Sequence, residues 1–523
     1  MNLKILRYVD MHLLSFFFIL SALLIAIYVA LGYLCLNTLY DIGCYCAVFL
    51  LGLVFLSEKK YLAICVYAFS IICIFMAFWG ILQYVGWLPS GNGLFAVTGV
   101  FDNPAGIGMF QAILLPYIMY LRKQEKKSIQ IMRWMGIFVV AIVILLSESR
   151  TGVLAACAGF ICLYAKKINK KYVIILVILG LLACIFLYLY KPASANGRLF
   201  ISWISVRLAI RHLWIGYGMD GFDKGYMLEQ AAFFVQFPHS TWAQVADNVR
   251  QPFNEYLLFL IRFGVIGILS LTIASALLLR QIYRNYSEDK LPAIASLCAC
   301  VVCGCFSYPS HYVLIILSAI ISLAISCAPL NKEFIVSQRK PMSIKIVAVL
   351  MLVTVIFGQA YNYYHYESVR KHLEDRSFDG EKSNSLNRDY EIIYQTDYFH
   401  RHAVFLYNYA LHLYENEQYV EALTVWEQYF SCRHDYDGQL MYAYTLTQLS
   451  CFKQAIEAFK LASFMLPSRL QPHYELICLY ERMGEKEKAF QCAKEAFIIP
   501  LKVHNLKTEY LHNKIKEYME HLK

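Results

Sequence analysis

Arg150 is the residue whose type and setting point most directly to chemistry. It stands in Ser147-Glu148-Ser149-Arg150-Thr151-Gly152, a short turn between two apolar stretches. An ionisable group at the end of an apolar segment is costly and is a functional candidate by default. The guanidinium is planar and permanently charged, and it grips phosphate through two parallel hydrogen bonds. One reading is therefore an anion site; the plainer one is an arginine that reaches up to lipid phosphate. A second chemical pattern, Gly216-Tyr217-Gly218-Met219-Asp220-Gly221, fits G-x-G-x-x-G. A dinucleotide site needs a strand before that pattern and a βαβ unit around it. Here it follows a helical stretch instead, which argues against a nucleotide. The pairs Cys298/Cys300 and Cys303/Cys305 are two residues apart, which turns each pair to different helix faces.

The elements that must position these residues are membrane helices. The chain has 523 residues, 59% of them hydrophobic and 16% charged, with a mean hydropathy of +0.48. A soluble domain of this size would carry far more surface charge. The apolar residues fall in blocks of about 15–25, near the roughly 20 needed to cross a hydrocarbon core. Spans are expected near 13–34, 42–56, 61–85, 105–121, 131–147, 151–165, 172–190, 256–279, 291–307, 312–328 and 344–360, which makes about eleven. The net charge of +10 does not imply nucleic acid, because the cations cluster in loops where membrane topology explains them. Most of the 17 cysteines lie inside apolar blocks, among them Cys44, Cys46, Cys65, Cys73, Cys157 and Cys162, where they serve as small packing residues. The first apolar run is too long for the core of a cleavable signal peptide.

Loop charges give an orientation. Lys4 and Arg7 precede the first span, and every second loop thereafter is basic: Lys59/Lys60, Arg122 to Arg133, Lys166 to Lys171, Arg280 to Lys290, and Lys332 to Lys345. The alternate short loops, 35–41, 86–104, 147–151 and 308–311, hold a single Lys or Arg, Arg150. The positive-inside rule puts the N-terminus in the cytosol, and an odd span count then puts the C-terminal part outside. The outer loop at about 191–255 is long. Within Arg198 to Ile215, Trp203, Arg207, Arg211 and Trp214 share one helical face, and Ile201, Ile204, Leu208 and Ile215 another. That pattern suits a helix lying in the membrane surface, with Trp and Arg at headgroup level.

After residue 361 the composition changes. Ala422, Ala455 and Ala489 recur 33 and 34 residues apart, flanked by Ala410/Tyr419/Trp426, Ala443/Phe452/Phe459/Ala462/Pro467 and Tyr480/Gly484/Ala496. This is similar to the tetratricopeptide pattern, in which a small residue sits where paired helices touch. The expected division is a membrane domain at 1–360, a linker or degenerate helix pair at 361–400 and helical repeats at 401–523. The fold class is all-α: a polytopic transmembrane bundle followed by an α-solenoid. Such arrays form a concave surface that often holds a protein partner.

Four motifs, in order, carry a further resemblance. They are Phe101-Asp102-Asn103-Pro104-Ala105-Gly106-Ile107-Gly108, the Ser149-Arg150-Thr151-Gly152 turn, Arg198 to Phe222 with Trp214-Ile215-Gly216-Tyr217-Gly218, and Phe253-Asn254-Glu255-Tyr256-Leu257 followed by Phe263-Gly264-Val265-Ile266-Gly267. Over about residues 60–330 the set resembles the O-antigen ligase and O-antigen polymerase C-terminal superfamily. One departure stands out: many ligases have His where this chain has Phe253.

The resemblance implies an integral-membrane glycosyltransferase in a bacterial cytoplasmic membrane. It would move a glycan from undecaprenyl diphosphate to an acceptor hydroxyl on the outer face. The acceptor is a glycan, lipid or protein; membrane lipid is a further partner and nucleic acid is not. Arg150, Arg198, Arg207, Arg211 and Arg250 would cradle the diphosphate, whose negative charge grows as it leaves. Glu255, with Asn254 beside it, is the candidate general base, and His239 is the alternative. The plainer reading of Glu255 is a helix-start carboxylate favoured by the helix dipole. No cofactor or metal is expected, since arginines do the electrostatic work and no acidic cluster suits Mg²⁺. Competing readings are a polysaccharide polymerase, a protein O-oligosaccharyltransferase and a membrane-anchored repeat scaffold. A scaffold leaves the ordered motifs unexplained. A transporter would need ionisable groups in mid-span, and Arg262 is the nearest case.

Overall fold

The computed structural model describes residues 36–56, 58–120, 127–165, 171, 192–329, 384–395, 399–502 and 505–521, and all regular structure among them is helical. The chain divides into two compact units. One draws on 1–190, 253–256 and 266–362, the other on 191–252, 257–265 and 363–523.

The first unit holds α1 (Leu36–Phe55), α2 (Lys59–Tyr84), α3 (Pro104–Met119), α4 (Lys127–Leu146), α5 (Arg150–Tyr164), most of α8 (Glu255–Arg284), α9 (Leu291–Phe306) and α10 (Val313–Cys327). By length and composition, Lys59–Tyr84, Lys127–Leu146, Glu255–Arg284 and Glu288–Phe306 can cross a membrane. Ile42–Leu53, Pro104–Met119, Arg150–Tyr164 and Val313–Cys327 are shorter apolar helices. Expected spans at 13–34, 172–190 and 344–360 lie outside the described residues. In α4, Arg133 is buried and donates to the Tyr120 carbonyl.

Helix α3 is the centre of this unit. It packs against α2, α4, α5, α9 and α10, and every residue from Gly106 to Ile118 is buried. A helix that is apolar all round has no face to give to water and must be enclosed. Its entry is set by Asn103, whose side chain accepts from the Ala105 N–H at 2.9 Å, and by Pro104 in the first turn. Buried hydroxyls link the helices: Tyr117 and Ser322 are 2.7 Å apart, and Ser322 and Ser296 3.2 Å.

The second unit holds α6 (Pro192–Arg211), α7 (Gly221–Gln236), the segment 257–265 of α8, and α11 (Asn384–Tyr394) through α18. The last seven are α12 (Ala403–Glu415), α13 (Tyr419–Cys432), α14 (Tyr436–Gln448), α15 (Phe452–Met465), α16 (Gln471–Arg482), α17 (Lys486–Ile498) and α18 (Leu506–His521). From α12 to α18 each helix packs on the next. Ala422, Ala455 and Ala489 are completely buried, as a residue at the point of closest helix approach must be. In the segment expected as a linker, α11 stacks Tyr390 on Tyr409 with ring centroids 5.1 Å apart.

Candidate functional site

In the first unit, the motif turns meet at one end of the bundle. Ser149 caps α5 by accepting from the Gly152 N–H at 3.1 Å. The start of α5 lies directly on α3. A Cβ on Gly152 would come within 2.8 Å of the Gly108 backbone, and one on Gly108 within 2.3 Å of Ser149 Cβ. The glycines of two motifs 44 positions apart in sequence therefore serve one purpose, the close crossing of two helix starts.

A third strand of connections runs through the turn between α9 and α10, Ser307 to Tyr312. Thr151 Oγ1 donates to the Phe306 carbonyl at 3.4 Å. Asn254 Nδ2 donates to the Cys305 carbonyl at 3.1 Å, and Glu255 Oε1 accepts from the Ser310 N–H at 2.9 Å. Tyr312 donates its hydroxyl to Asp102 Oδ1 at 3.0 Å. The Phe253 ring meets Tyr308 edge to face at 5.5 Å. Residues 102, 151, 254 and 255, from three separate stretches of the chain, are thus all anchored on the segment from Cys305 to Tyr312. Two bulky residues there hold left-handed backbone, Glu148 at φ 50° and Phe253 at φ 54°. Strain of this kind persists only where surrounding structure imposes it, and it gathers at functional sites.

Arg150 is half-buried at the start of α5. It makes no hydrogen bond or ion pair among the described residues. A helix N-terminus already favours anions through its free N–H groups and dipole, and the guanidinium adds a full charge at the same place. Asn254 and Glu255 share this end of the bundle, but as supports of the α9–α10 turn.

The remaining sequence-derived residues belong to the second unit. The helix expected over Arg198 to Ile215 ends earlier, at Arg211. Trp214 and Ile215 lie beyond it, in a turn, so Ile215 does not share the face of Ile201, Ile204 and Leu208 and is exposed. The cause is a backbone clasp. The amides of Tyr217 and Gly218 donate to the carbonyls of Ile261 and Arg262, each at 2.9 Å, and Val265 donates to Leu213 at 2.8 Å. Gly264 breaks α8 at φ 63°, and a Cβ there would come within 2.4 Å of the Trp214 backbone. Gly216, at φ 79°, would likewise strike Arg262 at 2.5 Å. The glycines of the G-x-G pattern admit close backbone approach within the protein.

Arg207 and Arg211 do not stand ready as free phosphate ligands. Both pair with the buried carboxylate of Glu229 on α7, Arg207 Nε at 3.0 Å and Arg211 Nε at 2.5 Å. Arg207 also donates to Gln236 at 3.1 Å. Two cations on one anion leave one net positive charge. Arg198 is exposed on α6, and Arg250 is exposed with its charge acting on Asp437. His239 lines an open groove of about 560 Å³ with Trp203, Phe233, Phe237 and Trp242. The outward side of α6 exposes Leu199, Trp203, Val206 and Ile210, while Phe200, Ile201, Ile204 and Leu208 are buried.

The loop rests on the C-terminal helices. Helix α7 packs on α13 and α15. Asp223 pairs with Arg433 at 3.0 Å, Gln230 Nε2 donates to the Met465 carbonyl at 2.7 Å, and Lys502 donates to the Ala246 carbonyl at 2.7 Å. Burial pushes the Asp223 carboxyl up, and the Arg433 guanidinium opposes it.

Sequence reasoning missed α7, Glu229, Asp223 and His311. His311 sits in the same short loop as Tyr308 and Tyr312, and only the Lys and Arg of such loops had been weighed. Among the described residues, no three His, Cys, Asp or Glu side chains gather in a way that suits a metal ion.

Fold and site together define a membrane protein, all-helical in its described residues, in which the motif turns of the first unit converge at one end of an apolar bundle. Residues 135–272 match the family model for O-antigen ligase, which supports a membrane ligase that transfers glycan. The matched stretch runs from within α4 to within α8 and takes in Arg150, the long loop at 191–252 and the backbone clasp. No curated protein matches the chain.

Proposed function

We propose that this protein is a glycosyltransferase of the outer face of the bacterial cytoplasmic membrane, moving a glycan from undecaprenyl diphosphate to an acceptor hydroxyl. The observation that carries the reading is Arg150. It is an unpartnered cation among the described residues, at a helix start, inside the segment similar to O-antigen ligase. The acceptor oxygen bonds to the anomeric carbon, the bond from that carbon to the diphosphate oxygen breaks, and the electron pair leaves on the phosphate. Arg150 and the α5 N-terminus stabilise that leaving charge, which is largest in the transition state. The net positive charge of the Arg207/Arg211/Glu229 group and the exposed Arg198 and Arg250 would favour anionic lipid-linked substrates around the long loop.

The repeats bear on topology. They and the loop 191–252 pack within one unit, and packed segments lie on the same side of a membrane. This supports an outer location for the C-terminal helices. The buried alanines at repeat spacing support the tetratricopeptide assignment.

The test is glycan transfer in a deletion strain complemented with variants, normalised to inserted protein. Arg150→Ala is expected to lose on the order of a hundredfold or more, the usual effect of removing one transition-state donor. Arg150→Lys keeps the charge without the two-pronged contact and should lose much of the activity. Arg122, on a loop that the charge pattern assigns to the cytosol, is the control, and its Ala variant should retain transfer. Parental activity in a properly inserted Arg150→Ala protein would make Arg150 a lipid anchor and remove the basis of the reading.

A further inference from the structure

The attacking hydroxyl must lose a proton as its oxygen bonds to carbon, so the site needs a group to receive it. Phe253 cannot do this. Its ring packs against Tyr308, where it helps hold the α9–α10 turn. Glu255 and Asp102 are engaged in fixing that turn, Glu255 by the Ser310 N–H and Asp102 by the Tyr312 hydroxyl. The turn itself carries one more group. Among the described residues of the first unit, His311 is the sole histidine, and it is exposed. Its ring plane is defined by two edge contacts, with Tyr312 at 5.1 Å and 80° and with Tyr308 at 5.9 Å and 79°.

We propose that His311 is the general base of the transfer. The proposal rests on the glycan-transfer reading above. The residues that resemble ligase motifs, Asp102, Thr151, Asn254 and Glu255, all bond to the segment from Cys305 to Tyr312. What this network holds in place is the backbone that bears His311. The proton of the acceptor hydroxyl passes to the free ring nitrogen as the oxygen bonds to the anomeric carbon. The electron pair of the broken bond departs on the diphosphate, and the imidazolium then gives its proton to water. Imidazole is suited to this because its ordinary titration spans neutral pH. Charged or titratable groups on the elements that meet this turn include Asp102, Glu148, Arg150, Glu255, Tyr256, Cys300, Cys303, Cys305, Tyr308 and Tyr312. Asn254 and Glu255 become positioning residues.

The experiment measures transfer against pH for membranes holding the full chain, His311→Gln or His311→Asn. Both variants are expected to insert normally and to lose about a hundredfold or more in kcat, with little change in KM for the lipid-linked donor. The residual rate should lack the acid limb that protonation of an imidazole produces in the parental profile. Glu255→Gln should instead lower the rate while keeping that limb. The proposal is overturned if His311→Gln or His311→Asn transfers at the parental rate, or if the acid limb survives in them, while Arg150→Ala abolishes transfer. If the parental chain itself transfers no glycan, the functional reading falls and this proposal with it.

Discussion

The ion pair between Asp223 and Arg433 joins the long loop at 191–252 to the C-terminal helices, and its removal should loosen both. Arg433 Nη2 and Nε lie 3.0 and 3.1 Å from the same oxygen, Asp223 Oδ1. The Arg433 and Asp223 side chains are 20% and 25% exposed, so neither surface nor interior values apply unmodified. Two unit charges near 4 Å attract by about 4 kcal/mol at an effective dielectric of about 20, and exposed pairs yield about 0–1 kcal/mol. A coupling of about 1–3 kcal/mol is therefore expected between these two residues. A double-mutant cycle with Asp223→Asn, Arg433→Gln and the double variant measures it. Hydrogen exchange in α7, α13 and α14 of the detergent-solubilised chain is the readout. The backbone bond from the His434 N–H to the Asp223 carbonyl, 3.0 Å, survives all three substitutions. The pH dependence has a definite sign. Burial raises the Asp223 carboxyl, and Arg433 is what opposes the rise. Arg433→Gln should therefore be relatively more stable in acid and lose ground as pH rises through the carboxylate range. Strictly additive effects, within about 0.5 kcal/mol, would refute the coupling.

Other consequences concern the crossing of α3 and α5, acid stability and topology. Gly152→Ala should force the two helix starts apart, because its Cβ would lie 2.8 Å from the Gly108 backbone. Overpacking of this kind typically costs about 1–3 kcal/mol, and an unchanged melting temperature with parental transfer would contradict the crossing. The repeats should weaken in acid. Burial pushes His473 down to about 4 and also lowers His402, His412 and His434. The unfolded chain takes up these protons from about pH 6.5 downward while the folded one does not, so stability falls as pH drops toward about 4, by on the order of 1–3 kcal/mol for His473. Hydrogen exchange in α16 that is flat from pH 7 to pH 5, once corrected for intrinsic rates, would count against this. A compartment-sensitive reporter fused at Lys523 should report the outer side, and cytosolic activity there would mean that the span count is wrong by one.

What the residues alone determine here is local. An apolar run is long or short by itself, so the helical, membrane-embedded character is legible without tertiary structure, and the match over 135–272 agrees with the motifs read there. The 33- and 34-residue spacing of Ala422, Ala455 and Ala489 is likewise a property of order along the chain, and all three positions are buried. Arg150 could be singled out because a lone cation in a short apolar-flanked turn is visible as such. The fate of the other charges was not visible. Arg207 and Arg211 read as phosphate ligands until α7 brings Glu229 against both. The glycines of 216–218 and 264 read as separate motifs until the backbone clasp joins them. His311 acquires meaning once Asp102, Thr151, Asn254 and Glu255 are seen bound to its turn. In each case the deciding partner is distant in sequence. Whether a charge is spent or free, and whether a glycine serves a ligand or a neighbouring backbone, depends on contacts that exist only after the helices have packed.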